Sequence, residues 1–363
     1  MIMAVKNIPK AGGKSSSIDE DLRKLLEARK AEIRVVGIGG AGNNTVSRMM
    51  QIGIVGAEVI AVNTDAQDLL YTDADAKVLI GKDLTKGLGA GADPHVGMEA
   101  ARESRDDIKS ALTGADMIFL TCGLGGGTGT GASPVIADIA KKLGALVVAV
   151  VTLPFAMEGS ERAENARAGL EDLENIVDTL IVVPNDKLLE MVPDVSIMTA
   201  FKISDEILVN AVKGIAELVT KPGLVNLDFA DIKAVMGSGG LAMIGLGESD
   251  TENRALEAVE KALNNPLLDV DINGAAGALV NVCGGSDVTI KECQEIVEAV
   301  SSKLSPDAKI IWGAQIVKEL GDLVRTMLIV TGVKSTQIYG PTKTLAKEKA
   351  KKIEKILGID FVS

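Results

Sequence analysis

Cys122-Gly-Leu-Gly-Gly-Gly-Thr-Gly-Thr-Gly131 follows an apolar stretch over 115–121, and six of its ten residues are glycine. Each glycine inside a helix or strand costs about 0.5–1 kcal/mol relative to alanine, a density that no packed element needs. Something therefore approaches this backbone closely. A glycine turn between a strand and a helix beginning near Ser133 aims several N–H groups at one point, with the positive end of the helix behind them. Phosphate is the expected occupant.

The flanking sequence places this unit in an α/β fold. From Ile33 onward, β-branched apolar runs over 33–38, 58–63, 77–80, 117–121, 146–153 and 180–184 alternate with helical patterns over 44–52, 98–112, 134–143 and 161–177. Continuous apolar runs of this kind are strands buried on both faces of a mostly parallel, doubly wound, Rossmann-like sheet, where ligands sit at the carboxyl ends of the strands. A long amphipathic helix follows, marked by Ile197, Phe201, Ser204, Leu208, Ala211, Ile215 and Val219 and ended by Lys221-Pro222-Gly223. A second α/β unit has expected strands over 241–245, 278–283, 310–312 and 324–331 and helices over 251–263 and 290–304. That alternation predicts a smaller sheet covered by two helices.

Composition narrows the function. With 363 residues, of which 47% are apolar, the chain has material for two cores, and no apolar run reaches the roughly 18 residues of a membrane span. The expectation is a soluble cytoplasmic protein without direct membrane insertion; the N-terminus lacks the apolar centre of a signal peptide. A net charge of −12 and 2% aromatics provide neither the basic surface nor the stacking platforms of nucleic-acid binding, so nucleic acid is not an expected partner. Three scattered cysteines and a single histidine, His95, argue against a disulfide framework, a zinc site or a His-rich metal site.

Two further glycine loops carry chemistry. Gly37-Ile-Gly-Gly-Ala-Gly42 follows the first strand and opens a helix, satisfying the G-x-G-x-x-G dinucleotide pattern, with Asp65 about 20 residues on as the ribose-binding acid of that reading. A nicotinamide-dependent oxidoreductase is therefore one alternative. It leaves the richer loop at 123–131 and a third loop, Gly87-Leu-Gly-Ala-Gly91, without a role, whereas three loops on one sheet edge suit a triphosphate. A P-loop is absent: Gly13-Lys14-Ser15 has Ile8 where the first glycine is required and no preceding strand. Backbone amides would then hold the phosphates, with Thr128, Asn43 and Asn44 adding side-chain hydrogen bonds.

Gly125-Gly-Gly-Thr-Gly-Thr-Gly131 resembles the signature of the tubulin/FtsZ superfamily, and Gly39-Gly-Ala-Gly-Asn-Asn44, Asn63-Thr-Asp-Ala-Gln67 and Asn226-Leu-Asp-Phe-Ala-Asp231 are closer to its FtsZ branch than to tubulin. The resemblance spans about residues 33–333. It implies a GTPase that assembles head to tail with itself into filaments of a cytokinetic ring at mid-cell, binding GTP or GDP. The implied organisation is a tail and helix over 1–32, a GTP-binding domain over 33–195, a central helix over 196–221, a polymerisation domain over 222–335 and a charged tail over 336–363. Phosphate contacts are implied for Gly39, Gly40, Ala41, Gly42, Asn43, Asn44, Gly126, Gly127, Thr128 and Gly129, with Ala90 and Gly91 near the γ-phosphate and Asp65 nearby. Pro154, Glu158 and Arg162 are implied along the ribose and phosphates, and Asn185, Phe201 and Asp205 at the base. Guanine's two adjacent N–H donors fit one carboxylate such as Asp205, and adenine has no such pair. Read without the resemblance, Phe201 is also compatible with plain core, and Asp205 and Glu158 with solvated acids.

Asn226, Asp228 and Asp231 match the family's catalytic loop. If Phe201 and Asp205 touch the base, a helix over 197–220 carries the chain about 30 Å away at 1.5 Å per residue, so these acids would act on a neighbouring subunit's nucleotide. Such an unlike-faced contact propagates into an open filament. Asp228 alone reads equally as the N-cap of a short helix over 229–236, although two acids three apart make that account less complete. No dedicated metal cage is expected; Mg²⁺ would ride on phosphates and water, with Asp65 or Gln67 as outer contacts. The short apolar end Gly358-Ile-Asp-Phe-Val362 resembles archaeal tails of the family and suggests docking to a membrane-tethering adaptor. A relative that polymerises for cell shape instead of division is the other alternative.

Overall fold

The computed structural model describes residues 31–191, 196–221, 224–225, 227–237, 239–268, 272 and 275–333. The expected N-terminal helix, the charged tail with its apolar end, and Asn226 lie outside the described residues.

Six parallel strands, β1 (Ile33–Ile38), β2 (Ala57–Asn63), β3 (Ala76–Leu79), β4 (Met117–Gly123), β5 (Leu146–Leu153) and β6 (Thr179–Pro184), lie in the order 3-2-1-4-5-6. Four more, β7 (Gly240–Ser249), β8 (Gly277–Gly284), β9 (Lys309–Ile316) and β10 (Val324–Thr331), extend the same sheet as 7-10-8-9. The strands of the second unit thus continue the first sheet, joined to it through β6 and β7. Strand β7 pairs with β6 in parallel over Thr179–Gly240, Leu180–Leu241 and Ile181–Ala242, while β10 runs antiparallel between β7 and β8. One apolar core runs along this sheet, from Val36 and Ile118 to Val280 and Leu328. Pairing between distant segments leaves no periodic trace in either one, which is why sequence patterns did not disclose the junction.

Helices cover both faces: α1 (Gly39–Ile52), α2 (Ala66–Tyr71), α3 (Pro94–Glu103), α4 (Arg105–Leu112), α5 (Thr128–Lys142), α6 (Ser160–Glu174), α7 (Asn185–Met191), α8 (Ile197–Thr220), α9 (Phe229–Met236), α10 (Arg254–Leu263) and α11 (Ile290–Ser301). Three of the expected helices differ from the sequence reading in number or start. The single helix expected over 98–112 is two, because Asp93 caps at Pro94 and the backbone breaks at Ser104. Helix α1 begins five residues early, at Gly39, and α5 begins at Thr128, so the glycine turns are themselves first turns of helices. Low glycine propensity is overruled here by packing. A side chain at Gly42 would place Cβ 2.4 Å from the Thr121 carbonyl oxygen, so only glycine lets α1 lie against β4.

Candidate functional site

The strand order reverses between β1 and β4: the chain leaves β1 towards β2 and β3, then returns to β4 on the other side. The register pairs Ile38 with Cys122, so the two glycine turns that follow these strands start side by side at the switch point of the sheet. They touch. Gly39 has φ +69°, and a Cβ there would lie 2.9 Å from the Gly129 amide nitrogen. The first turns of α1 and α5 thus open towards a common space.

That space is a cavity of about 460 Å³. One end is lined by Gly39, Gly40, Ala41 and Asn44 and by Gly126, Gly127, Thr128 and Gly129. Pro154, Glu158 and Arg162 form a side wall, where Arg162 donates to Glu158 Oε2 and Glu158 Oε1 accepts from the Phe155 amide at 2.8 Å. Asn185, Phe201 and Asp205 line the other end. Phe201, 43% exposed, is not plain core: its ring meets buried Phe155 edge to face, with centroids 5.3 Å apart, and its remaining surface faces the cavity. Asp205 accepts from Thr45 Oγ1 at 3.1 Å, and burial pushes its carboxyl up to about 6 against the opposing pull of that hydrogen bond and of Arg48.

Other expected residues sit outside the lining. Gly42 faces β4, as described, and Asn43 is buried with Nδ2 donating to Asp68 Oδ2 at 3.2 Å and Oδ1 unpartnered. Asp65 caps α2, its Oδ1 accepting from the Gln67 and Asp68 amides, and it does not line the cavity. Buried Ala90 packs on the back of Gly127, 2.8 Å from where a Cβ would stand, and Gly91 has open space around it at φ +59°. The loop over 87–91 therefore backs the glycine turn and does not line the cavity floor.

The glycine run itself divides in two. A Cβ at Gly131 would stand 1.8 Å from the Pro94 carbonyl oxygen, and one at Gly97 of α3 would stand 2.3 Å from the Gly127 carbonyl oxygen. Part of the glycine density thus serves helix packing, contrary to the expectation that no packed element needs it. At Gly126 the only neighbour is an Arg162 nitrogen 3.9 Å away, so this glycine faces the cavity.

Gly123, Leu124, Thr152 and Ser204 also line the cavity and were not singled out. Ser204 had a signal: a polar residue on the apolar stripe of α8, one position before Asp205. Thr152, at the carboxyl end of an otherwise apolar strand, had the same kind of signal.

Asp228 and Asp231 are remote from this cavity. Helix α8 lines it near its start and ends about 22 Å beyond Asp205, at 1.5 Å per residue. Both acids are exposed and cap α9 reciprocally: Asp231 N donates to Asp228 Oδ1 at 2.8 Å, and Asp228 N donates to Asp231 Oδ2 at 3.3 Å. Two acids spaced three apart are what a capping box uses, so the spacing completes the cap account. One oxygen of each carboxylate is engaged in the cap.

Chemically, one end of the cavity offers converging amides at two helix N-termini, and the other an aromatic face, an amide and a carboxylate. A nucleotide fits both ends and the volume. Among the described residues no group of three or more His, Cys, Asp or Glu side chains could hold a metal ion.

Comparison with known proteins agrees in kind. The Tubulin/FtsZ family GTPase domain matches residues 32–193, and the FtsZ family C-terminal domain matches residues 240–334. "Cell division protein FtsZ 1" of Thermococcus kodakarensis is 64% identical over 88% of this chain and 86% of its own. Among solved structures, the empty FtsZ dimer of M. jannaschii matches with a TM-score of 0.84 at 60% identity, over 87% of this chain and 92% of that one. CetZ1 from Haloferax volcanii, a GDP-bound monomer, matches with a TM-score of 0.75 at 26% identity, over 88% and 99%.

Proposed function

Because the chain belongs to the FtsZ family of cell-division GTPases, we propose that it hydrolyses GTP in the cavity between α1, α5 and α8, at contacts between successive subunits of a head-to-tail filament that forms the division ring. Residues 33–195 serve as the nucleotide-binding half, 196–221 as the connecting helix, and 222–335 as the half that presents Asn226, Asp228 and Asp231 to the next subunit. A 64% identity to a cell division protein, against 26% to CetZ1, favours division over another duty of the superfamily.

Backbone N–H groups of the first turns, Gly39–Ala41 and Gly126–Gly129, with the Thr128 hydroxyl and the Asn44 side chain, hold the phosphates; the Asn43 side chain is tied to Asp68, and its backbone N–H lies inside α1. Arg162 and Glu158 flank the sugar, and Asn185, Phe201 and Asp205 select the base. Asp228 and Asp231 of the neighbour orient and polarise a water for attack on the γ-phosphate, and the amides of the two helix N-termini stabilise the charge that develops. A Mg²⁺ ion would be held mainly by phosphate oxygens and water and would supply neutralising charge there; Asp65 is occupied as a cap, which leaves it at most an outer contact.

The remoteness of Asp228 and Asp231 from the cavity on the same chain carries this reading. Exposed apolar residues support it. Leu70, Tyr71, Leu88, Met157 and Met198 are 69–84% exposed, and the first four follow the carboxyl ends of β2, β3 and β5 on the cavity side. Ile52 and Val55, at the opposite end of β2, and Leu224, after α8, are also about half exposed. Two apolar surfaces at opposite ends suit a contact between unlike faces. GTP turnover per molecule, measured against protein concentration, is expected to be near zero at high dilution and to rise above a threshold. Turnover independent of concentration would contradict the shared site.

Asp205 sets a pH dependence. Its folded pKa is raised, so below about 6 the empty site holds the neutral acid, which cannot accept guanine's two N–H donors. GDP affinity is expected to be flat above pH 6 and to fall about tenfold per unit well below it. The sign for the empty fold is opposite: this group's contribution to stability is fully present below its unfolded value and is lost as pH rises through 6. Calorimetric titration of GDP between pH 5 and 8 on wild type and Asp205→Asn checks this; a slope in wild type that persists in the variant assigns the titration elsewhere.

The tail over 358–363 docks to an adaptor at the membrane in this scheme. Its deletion is expected to leave GTP turnover intact and to abolish membrane recruitment in cells.

A further inference from the structure

The base-binding end of the cavity depends on two side chains, and each is held from behind by a hydroxyl. Thr45, fully buried on α1, donates to Asp205 Oδ1 at 3.1 Å. Ser204, 4% exposed on α8, donates to Oδ1 of Asn185, itself 5% exposed, at 2.8 Å. Both Ser204 and Asn185 line the cavity. A carboxamide has a donor end and an acceptor end of nearly equal shape, so an amide with no fixed partner can turn either end towards a ligand. Turned the other way, the carboxamide would donate Nδ2 to the Ser204 oxygen and leave the buried hydroxyl proton without this acceptor; in the structure Oδ1 takes that proton, and Nδ2 is the end left for the cavity. The polar pattern there becomes one donor, Asn185, beside one acceptor, Asp205.

We propose that Ser204 is a positioning residue for base selection: its hydroxyl locks the Asn185 carboxamide with Nδ2 facing the ligand, so that the pocket demands a hydrogen-bond acceptor next to the donor pair read by Asp205. Guanine satisfies this on either side, because its N1–H and C2 amino group are flanked by two acceptors, O6 and N3. Adenine presents an acceptor at N1 and no donor at C2, so it is mismatched to Asp205; its C6 amino group is also mismatched to Asn185 if Asn185 faces position 6, whereas N3 is common to both bases and would serve Asn185 equally. The helix makes the arrangement economical: Phe201, Ser204 and Asp205 lie within one turn of α8, so one rigid element delivers the stacking face, the lock and the carboxylate.

The inference rests on the reading that the base binds at this end, and the test separates the two. Binding of GDP, 6-thio-GDP and 3-deaza-GDP to the full-length chain is compared in wild type, Ser204→Ala and Ser204→Thr. Removing the lock is expected to weaken GDP about tenfold, the scale of one hydrogen bond to a buried amide. For the analogue that lacks the acceptor facing Asn185, the Ser204→Ala loss should shrink towards onefold, because the contact being misaligned is already gone. Ser204→Thr, which keeps the hydroxyl, should restore the wild-type pattern. An equal loss for all three nucleotides, or no loss for any, would mean that Ser204 only packs, and overturns the proposal. Asp205→Asn tests the underlying reading: it should weaken GDP and strengthen XDP, whose C2 carbonyl accepts from the new amide. If both affinities are unchanged, the base lies elsewhere and both statements fail; if Asp205→Asn shifts preference while Ser204→Ala does not discriminate, only the role of Ser204 fails.

Discussion

Replacing Asp231 with alanine is expected to lower GTP turnover by about 10²–10⁴-fold, the usual scale of a lost group that positions or activates the attacking water, while GTP binding stays within about twofold of wild type. The separation of the two effects follows from position: α8 leads away from the cavity before the chain reaches the capping box of α9. Because Asp231 also caps that helix, alanine is expected to cost about 1 kcal/mol of stability, and Asp231→Glu, which retains a reciprocal cap, provides the control. A mixing experiment settles which chain supplies the acid. Asp231→Ala subunits have an intact cavity, and subunits with Gly126 replaced by leucine have an intact acidic loop. Each alone should be nearly inactive, and their mixture should recover turnover, because some contacts join a good cavity to a good loop. Absence of recovery, with both proteins folded and co-assembling, would place the catalytic acid on the nucleotide's own chain.

The second large effect contrasts two glycines five residues apart. Gly131→Ala is expected to destabilise the fold by about 3 kcal/mol or more, since its Cβ would lie 1.8 Å from the Pro94 carbonyl oxygen, a backbone atom that cannot swing aside. Gly126→Ala meets only an Arg162 nitrogen at 3.9 Å and should change stability by no more than about 0.5 kcal/mol. Nucleotide affinity should order the two differently. Gly126→Ala puts a methyl group into the phosphate end of the cavity and should weaken GDP about tenfold or more at unchanged stability, equivalent to about 1.4 kcal/mol of binding. Urea unfolding without nucleotide, followed by GDP titration, measures both. Equal stability losses at the two positions would show that the close approach of α3 to α5 is not what requires glycine at 131.

The Gly126–Gly131 contrast also shows where sequence reading stops. Glycine density reports that atoms come close to the backbone, and Gly126 and Gly131 contribute to it identically. Whether the approaching atom belongs to a ligand or to Pro94 depends on α3, which arrives from more than thirty residues upstream in the chain. The paired acids behave likewise, since the spacing that the proposed catalytic pair needs is also that of a helix cap, and only their placement relative to the cavity bears on the proposed role. Ser204 stands out in the sequence as a polar residue on an apolar helix face, but an isolated serine there carries no partner information, and its partner Asn185 lies on a different element.

What the sequence determined by itself is whatever depends on local pattern: the alternation of buried strands and helices, β1, β5 and β10 to the residue, the long helix α8, and the glycine turns that follow β1 and β4. These follow because apolar periodicity and turn chemistry are properties of neighbouring residues. Only the tertiary structure decided that β6 and β7 join two halves into one sheet, that the turns after β1 and β4 open into one cavity, and that Gly126 faces that cavity while Gly131 packs against α3. Those outcomes are set by contacts between segments far apart in the chain, whose register and approach distance no single stretch of sequence encodes.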